Sequence, residues 1–186
     1  LLTGALEPTN EAYAIAKISG IKMCEFYSKQ YGVNYHSVMP TNLFGINDNY
    51  HPENSHVIPG LIRKIHEAKQ RGDSSYEIWG SGSPKREFLY ADDLAAICYK
   101  ILELDNPPNL VNIGSDTELT ILELVQKICK LVGYTGEIKT GDPKLDGTPR
   151  KKTDCTLLKS LVEHQEIPFE KGLEKAYEDF LSRFSQ

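Results

Sequence analysis

Glu11-Ala12-Tyr13-Ala14-Ile15-Ala16-Lys17 opens a helical stretch, and Tyr35-His36-Ser37-Val38-Met39, the segment after that helix, reads as a short buried strand stopped by Pro40. This succession decides the fold class, because the same alternation continues down the chain. Thr9, Asn10 and Glu11 offer capping side chains, and Ile15, Ile18, Met23, Cys24 and Phe26 recur at broadly helical spacing as far as Tyr31. Gly32 ends the run. Residues 41–55, rich in Asn, Gly and Asp, read as loop, and a second helix is predicted over 57–71 with Pro59 tolerated in its first turn.

Working onward, Tyr76-Glu77-Ile78-Trp79 predicts a strand, Gly80-Ser81-Gly82-Ser83-Pro84 a tight hairpin turn, and residues 86–90 the next strand. A helix follows over 91–104, with Asp92 and Asp93 favoured in its first turn by the helix dipole. Leu110-Val111-Asn112-Ile113-Gly114 is the next strand, and the Thr120/Glu123 spacing of a capping box opens a helix over 121–132. A short strand over 137–139, a loop over 141–150 and a closing helix over 169–184 complete the reading. Alternating strands and helices imply an α/β fold with a largely parallel sheet. No strand is followed by a GxGxxG turn opening a helix, and Gly80-Ser81-Gly82 is no substitute, since Pro84 and a strand come after it.

The 186 residues are 40% hydrophobic and 25% charged, with net charge −5, enough for one domain or for part of a two-lobed enzyme. Mild acidity argues against a nucleic-acid partner. No apolar run approaches the roughly 20 residues that cross a membrane, so no membrane association is expected. Cys24, Cys98, Cys129 and Cys155 are widely spaced and are expected to be buried thiols of a reducing compartment. His36, His51, His66 and His164 show no metal-ligand spacing, and no metal site is expected. The opening Leu1-Leu2-Thr3-Gly4, without an initiator methionine, reads as an internal segment of a longer chain.

Tyr13 and Lys17, at i and i+4, share one helix face. A tyrosine holds its proton at neutral pH, and a neighbouring ammonium favours the phenolate, which eases proton transfer to a carbonyl oxygen. The same ammonium has donors left for a ribose hydroxyl. A YxxxK spacing arises about once by chance in a chain with this many Tyr and Lys, so a solvated helix face is the competing reading of the pair alone. The small residues between them, and Pro40-Thr41-Asn42-Leu43-Phe44-Gly45 at the strand end where open α/β sheets bind ligands, add context.

On those residues the sequence resembles the extended short-chain dehydrogenase/reductases. Within them it is similar to the GDP-L-fucose synthase family, NADPH-dependent enzymes that epimerise C3 and C5 and reduce C4 of GDP-4-keto-6-deoxy-D-mannose. The resemblance spans essentially the whole chain. It rests further on Asn54-Ser55-His56-Val57-Ile58-Pro59-Gly60-Leu61-Ile62, on Trp79-Gly80-Ser81-Gly82-Ser83-Pro84-Lys85-Arg86-Glu87-Phe88 and on Leu145-Asp146-Gly147-Thr148-Pro149-Arg150-Lys151. These stretches discriminate far better than YxxxK.

The resemblance implies the C-terminal part of a Rossmann-like fold plus a smaller substrate-binding lobe. Residues 1–55 would finish the NADP-binding domain and 56–186 would form mainly the substrate lobe, with about 86–114 returning to the Rossmann domain. Family members carry a glycine-rich phosphate loop, a serine near the keto oxygen and an epimerisation cysteine upstream of what matches this chain. By itself the chain is therefore expected to bind NADP(H) poorly, to be inactive and to leave an exposed sheet edge. Tyr13 would be the general acid for the C4 ketone, with Lys17 its partner and ribose anchor; Pro40, Thr41, Asn42 and Leu43 would line the nicotinamide end. His56 would return a proton in epimerisation and lie beside the cofactor, the competing reading being a helix-end side chain with local hydrogen bonds.

For the nucleotide diphosphate, Lys64 and Arg86 would supply charge. Trp79 would pack on base or sugar unless it is a core aromatic, Asp146 would accept hydrogen bonds unless it is a loop cap, and Lys151 would add charge unless it is merely solvated. The resemblance also implies a cytoplasmic homodimer, with the Tyr13 helix in a four-helix interface. Another nucleotide-sugar epimerase or dehydratase, or a non-catalytic binding module on the same fold, are the alternatives.

Overall fold

The computed structural model describes residues 3–184. In chain order its elements are α1 (Glu11–Tyr31), β1 (Ser37–Pro40), β2 (Asn42–Phe44), α2 (Val57–Arg71), β3 (Ser75–Ile78), β4 (Lys85–Tyr90) and α3 (Ala91–Leu102). There follow β5 (Leu110–Ile113), β6 (Glu118–Thr120), α4 (Ile121–Val132), β7 (Glu137–Thr140), β8 (Arg150–Lys151), α5 (Thr156–Leu161) and α6 (Phe169–Phe184). Pairing is mostly parallel: β1 with β5, β2 with β4, β3 with β7 and β4 with β8, while β6 runs antiparallel to β4. The α/β class expected from the sequence holds.

Strand β4 joins two hydrophobic cores. Side chains alternate across a strand, so Phe88 and Tyr90 enter one core while Leu89 enters the other. Its neighbour β2 repeats the division, with Leu43 paired to Leu89 and Phe44 to Tyr90. The larger core gathers Ile62 and Ile65 of α2, Leu124, Val125 and Ile128 of α4, and Leu173 and Phe180 of α6. The smaller gathers Ile97 and Ile101 of α3, Val111 and Ile113 of β5, and Leu158 and Val162. Each fully buried aliphatic side chain contributes roughly 1.5–3 kcal/mol.

Local signals set the helix ends. At α4 the Thr120 hydroxyl accepts from the Glu123 N–H at 3.1 Å and the Glu123 carboxylate accepts from the Thr120 N–H at 2.8 Å, completing the box. Gly32, Gly72 and Gly133 stop α1, α2 and α4 in the left-handed conformation.

Several expectations need correcting. Asn10 makes no side-chain cap at α1; instead the Glu7 carboxylate takes the Thr9 N–H at 3.2 Å, one turn earlier. The first strand starts at Ser37, includes Pro40 and is half-exposed rather than buried, because β5 is its one partner among the described residues. The 41–55 loop contains β2. Gly80-Ser81-Gly82 is not a hairpin turn: β3 pairs with β7 and β4 with β2, β6 and β8, so the turn carries the chain between sheets. The 91–104 helix ends at Leu102. The 141–150 loop holds a turn of helix over Pro143–Leu145 and the first residue of β8. Of the four thiols Cys129 alone is buried.

Candidate functional site

The Trp79–Pro84 turn is shaped by two glycines. Gly80 and Gly82 sit at φ +73° and +75°, where a side chain is strained. A Cβ on Gly80 would run into the Asp146 carboxylate, and one on Gly82 would come within 2.6 Å of Ile78 Cδ1. The turn presents Trp79 with 77% of its surface exposed, its indole Nε1–H donating to the Leu145 carbonyl at 3.2 Å. Trp79 is therefore no core aromatic.

Between this turn, the first turns of α2 and the 145–147 segment lies a cleft of about 330 Å³. It brings together five residues singled out from the sequence: His56, Lys64, Trp79, Arg86 and Asp146. They come from positions 90 residues apart, and packing of α2 against α4 and β3 against β7 assembles them. Sequence reading missed Glu53, Ser55 and Tyr76, which also line the cleft. Ser55 stands inside the quoted NSHVIPG stretch, which was the available signal, and in the structure a Cβ at Gly60 would meet Ser55 Oγ at 2.6 Å.

The cleft holds two cations, Lys64 and Arg86, and two carboxylates, Glu53 and Asp146. Among the described residues neither Lys64 nor Arg86 forms an ion pair. Burial pulls the Arg86 guanidinium below its ordinary pKa, although arginine stays charged at any working pH. One of its N–H groups donates to the Lys85 carbonyl at 2.7 Å, which leaves most of the fork free. His56 is the N-cap of α2 and makes no side-chain capping bond, so the local-hydrogen-bond alternative lacks support. An α2 N-terminus without a side-chain cap favours a bound anion. The Asp146 carboxylate, by contrast, is engaged by the Ser81 N–H at 2.8 Å and the Ser81 hydroxyl at 2.5 Å.

Tyr13, Lys17, Pro40, Thr41, Asn42, Leu43 and Lys151 do not line this cleft. Lys151 on β8 stands in register with Arg86 on β4, one strand away. Tyr13 is 66% exposed, and the Lys17 ammonium lies 5.5 Å from its ring centroid, so the pair does share a face. Lys17 meets no carboxylate among the described residues, leaving its three donors for a ribose edge, which fits a nicotinamide cofactor. Thr41 Oγ1 and Asn42 Nδ2 both donate to the Glu87 carbonyl, at 3.4 and 2.9 Å, so these side chains tie β2 to β4.

Comparison with known proteins gives the chain's relatives. The model of the NAD dependent epimerase/dehydratase family matches residues 1–114. The GDP-L-fucose synthase of Escherichia coli K12 is 51% identical over 190 residues, covering 97% of this chain and 59% of that protein. GDP-L-fucose synthase 1 of Arabidopsis thaliana is 50% identical, covering 97% of this chain and 56% of its own length. The crystal structure of a GDP-L-fucose synthetase from Naegleria fowleri bound to NADP superposes with a TM-score of 0.86 at 29% identity, over all of this chain and 59% of that one. The chain thus spans less than two thirds of the length of these curated relatives. With an α/β frame, a YxxxK face and a cation-lined cleft, the chain belongs to the NAD dependent epimerase/dehydratase family.

Proposed function

We propose that this chain carries the proton-transfer pair and the nucleotide-sugar cleft of an NADPH-dependent enzyme that epimerises C3 and C5 and reduces C4 of GDP-4-keto-6-deoxy-D-mannose to GDP-L-fucose. The observation that carries the reading is the cleft itself, where Lys64 and Arg86 stand unpaired beside His56 and an exposed Trp79. Two cations that form no ion pair among the described residues, in one cleft with the α2 N-terminus, suit a diphosphate, and the indole face suits a base or sugar ring.

In this reading NADP(H), when bound, supplies hydride chemistry at C4, and Tyr13, Lys17 and the backbone of Pro40, Thr41, Asn42 and Leu43 hold its nicotinamide end. The Tyr13 hydroxyl gives its proton to the C4 oxygen, and Lys17 holds the phenol and a ribose hydroxyl in place. The epimerisation cysteine implied upstream of this chain would take the proton from C3 or C5, and the ketone oxygen would hold the charge left behind as an enolate. His56 returns a proton at C3 and C5. Lys64 and Arg86 bind the diphosphate, Trp79 packs on base or sugar, and Asp146 and Lys151 complete the nucleotide end. Residues 1–55 then belong to the NADP-binding domain, and most of 56–186 to the substrate lobe, with 86–114 shared between the two cores. A cytoplasmic homodimer meeting through α1 follows from the same reading, supported by the exposed Ile15, Met23 and Phe26 on that helix. Turnover belongs to the full-length enzyme; the 186 residues alone are expected to be inactive.

The test is made with the full-length enzyme. GDP should bind at least tenfold tighter than UDP or dTDP, and His56→Gln should suppress solvent-deuterium incorporation at C3 and C5 by about 10²-fold, the usual scale of a lost general acid. Preference for another nucleotide would reassign the substrate, and undiminished exchange would remove His56 from the chemistry.

A further inference from the structure

We propose that Ser81 is a positioning residue for the nucleotide-sugar cleft, holding the Asp146 carboxylate and, through it, the wall on which Trp79 stands. The proposal rests on the cleft reading above. Ser81 grips both oxygens of Asp146, its N–H donating to Oδ1 at 2.8 Å and its hydroxyl to Oδ2 at 2.5 Å. An ionised carboxylate only accepts, so the Ser81 hydroxyl proton is committed to Asp146. The Ser83 hydroxyl must then donate to Ser81 Oγ, at 2.8 Å, and the Ser83 N–H donates to the same oxygen at 3.1 Å. The direction of every bond in this small network follows from that single fact.

The network continues the β3–β7 pairing, which ends at Ile78 and Thr140, into the two segments beyond it. Gly141 N–H donates to the Gly80 carbonyl at 2.8 Å, and the Trp79 indole to the Leu145 carbonyl at 3.2 Å. Residues 142–145 are exposed, and Asp146 forms no ion pair among the described residues. Ser81 therefore decides where the Asp146 carboxylate points, and the left-handed Gly80 is what allows the close approach. None of Trp79, Ser81, Ser83, Leu145 or Asp146 belongs to either hydrophobic core. Loss of the grip should move a wall of the cleft and leave the fold in place.

The experiment uses the full-length enzyme with Ser81→Ala, Ser81→Thr, Asp146→Ala and the Ser81→Ala/Asp146→Ala pair, with Arg86→Ala as the control for the cleft. Loss of one charge-assisted hydrogen bond predicts a KM for the GDP-sugar raised about tenfold by Ser81→Ala. Its kcat should change by less than about twofold, and Ser81→Thr, which keeps the hydroxyl, should recover most of the loss. The double variant should cost no more than Asp146→Ala alone, since both remove one linked unit. An unchanged KM in Ser81→Ala, additive costs, or equal falls of kcat and thermal midpoint without rescue by threonine would each overturn the proposal. If Arg86→Ala also leaves GDP binding intact, the cleft reading fails and takes this one with it. If Arg86→Ala weakens GDP and Ser81→Ala does not, Ser81 alone is misassigned.

Discussion

Helices α1 and α2 both open with a residue assigned to proton transfer, yet they are built in opposite ways. The 21 residues of α1 include none that is buried, and Tyr13, Ile15, Met23, Phe26 and Tyr31 are all exposed. The 15 residues of α2 include seven that are buried, among them Ile62, Ile65 and Ala68 with no exposed surface. The position of His56 is fixed by a packed helix, a buried Pro59 and the Ser55–Gly60 contact. Tyr13, by contrast, stands 66% exposed on a helix with no buried residue. The cleft is thus a property of these residues, whereas the Tyr13–Lys17 face needs surfaces that the described residues do not provide.

The sharpest way to break this contrast is amide hydrogen exchange on the 186-residue chain. Amides of α2 and α4, packed in the larger core, should be protected to the level of global unfolding, while α1 should exchange several orders of magnitude faster. Most of a protein helix's stability comes from tertiary packing of one face rather than from its own propensity. Equal protection of α1 and α4 would mean that α1 is held by contacts absent from this account.

A smaller effect sharpens the cleft side. Arg86→Ala in the full-length enzyme should weaken GDP binding about 30- to 100-fold, the scale of losing a charge-assisted, bidentate contact, and Arg86→Lys should recover only part of it. Calorimetric titration reads this directly. Full recovery by Arg86→Lys would reduce Arg86 to a point charge, and parental binding by Arg86→Ala would remove it from the site.

The smallest effect concerns the packing that holds α2. His66, on the buried face of α2, bonds Tyr177 through Nδ1 at 2.9 Å, while its Nε2 has no partner against Phe180. Burial first, then nearby Lys69, pulls the His66 pKa below its ordinary value. The folded state therefore prefers neutral His66, so this contribution is complete above about pH 6.5 and is lost as pH falls from there toward the lowered folded value. Urea midpoints should drop between pH 7.5 and 5.5, and the drop should flatten in His66→Gln. A steeper drop in that variant would assign the acid sensitivity elsewhere.

What was legible in the sequence follows from the same contrast. Helices with a one-sided apolar stripe and a clear end signal, Gly72 after α2 and the capping box before α4, were read to the residue, because 3.6-residue periodicity and these signals are local. The two- and three-residue strands β2, β6 and β8 and the six-residue α5 were not, since so few residues show no period. The hairpin reading of Gly80–Gly82 failed because partner choice is non-local: β3 pairs with a strand about sixty residues later rather than with β4. The cleft residues were found through motif stretches, but the Ser81–Asp146 grip spans 65 positions and leaves no local trace. Nor could apolar spacing alone say that the face of α1 stands open.

Substrate binding and proton donation to the C4 oxygen reside in different parts of this chain, the cleft and the Tyr13–Lys17 face, and Tyr13→Phe in the full-length enzyme tests this most directly. NADPH oxidation with GDP-4-keto-6-deoxy-D-mannose should fall by about 10²–10⁴-fold, the range of general-acid catalysis, while GDP affinity stays within about twofold. Turnover at the parental rate would contradict the account.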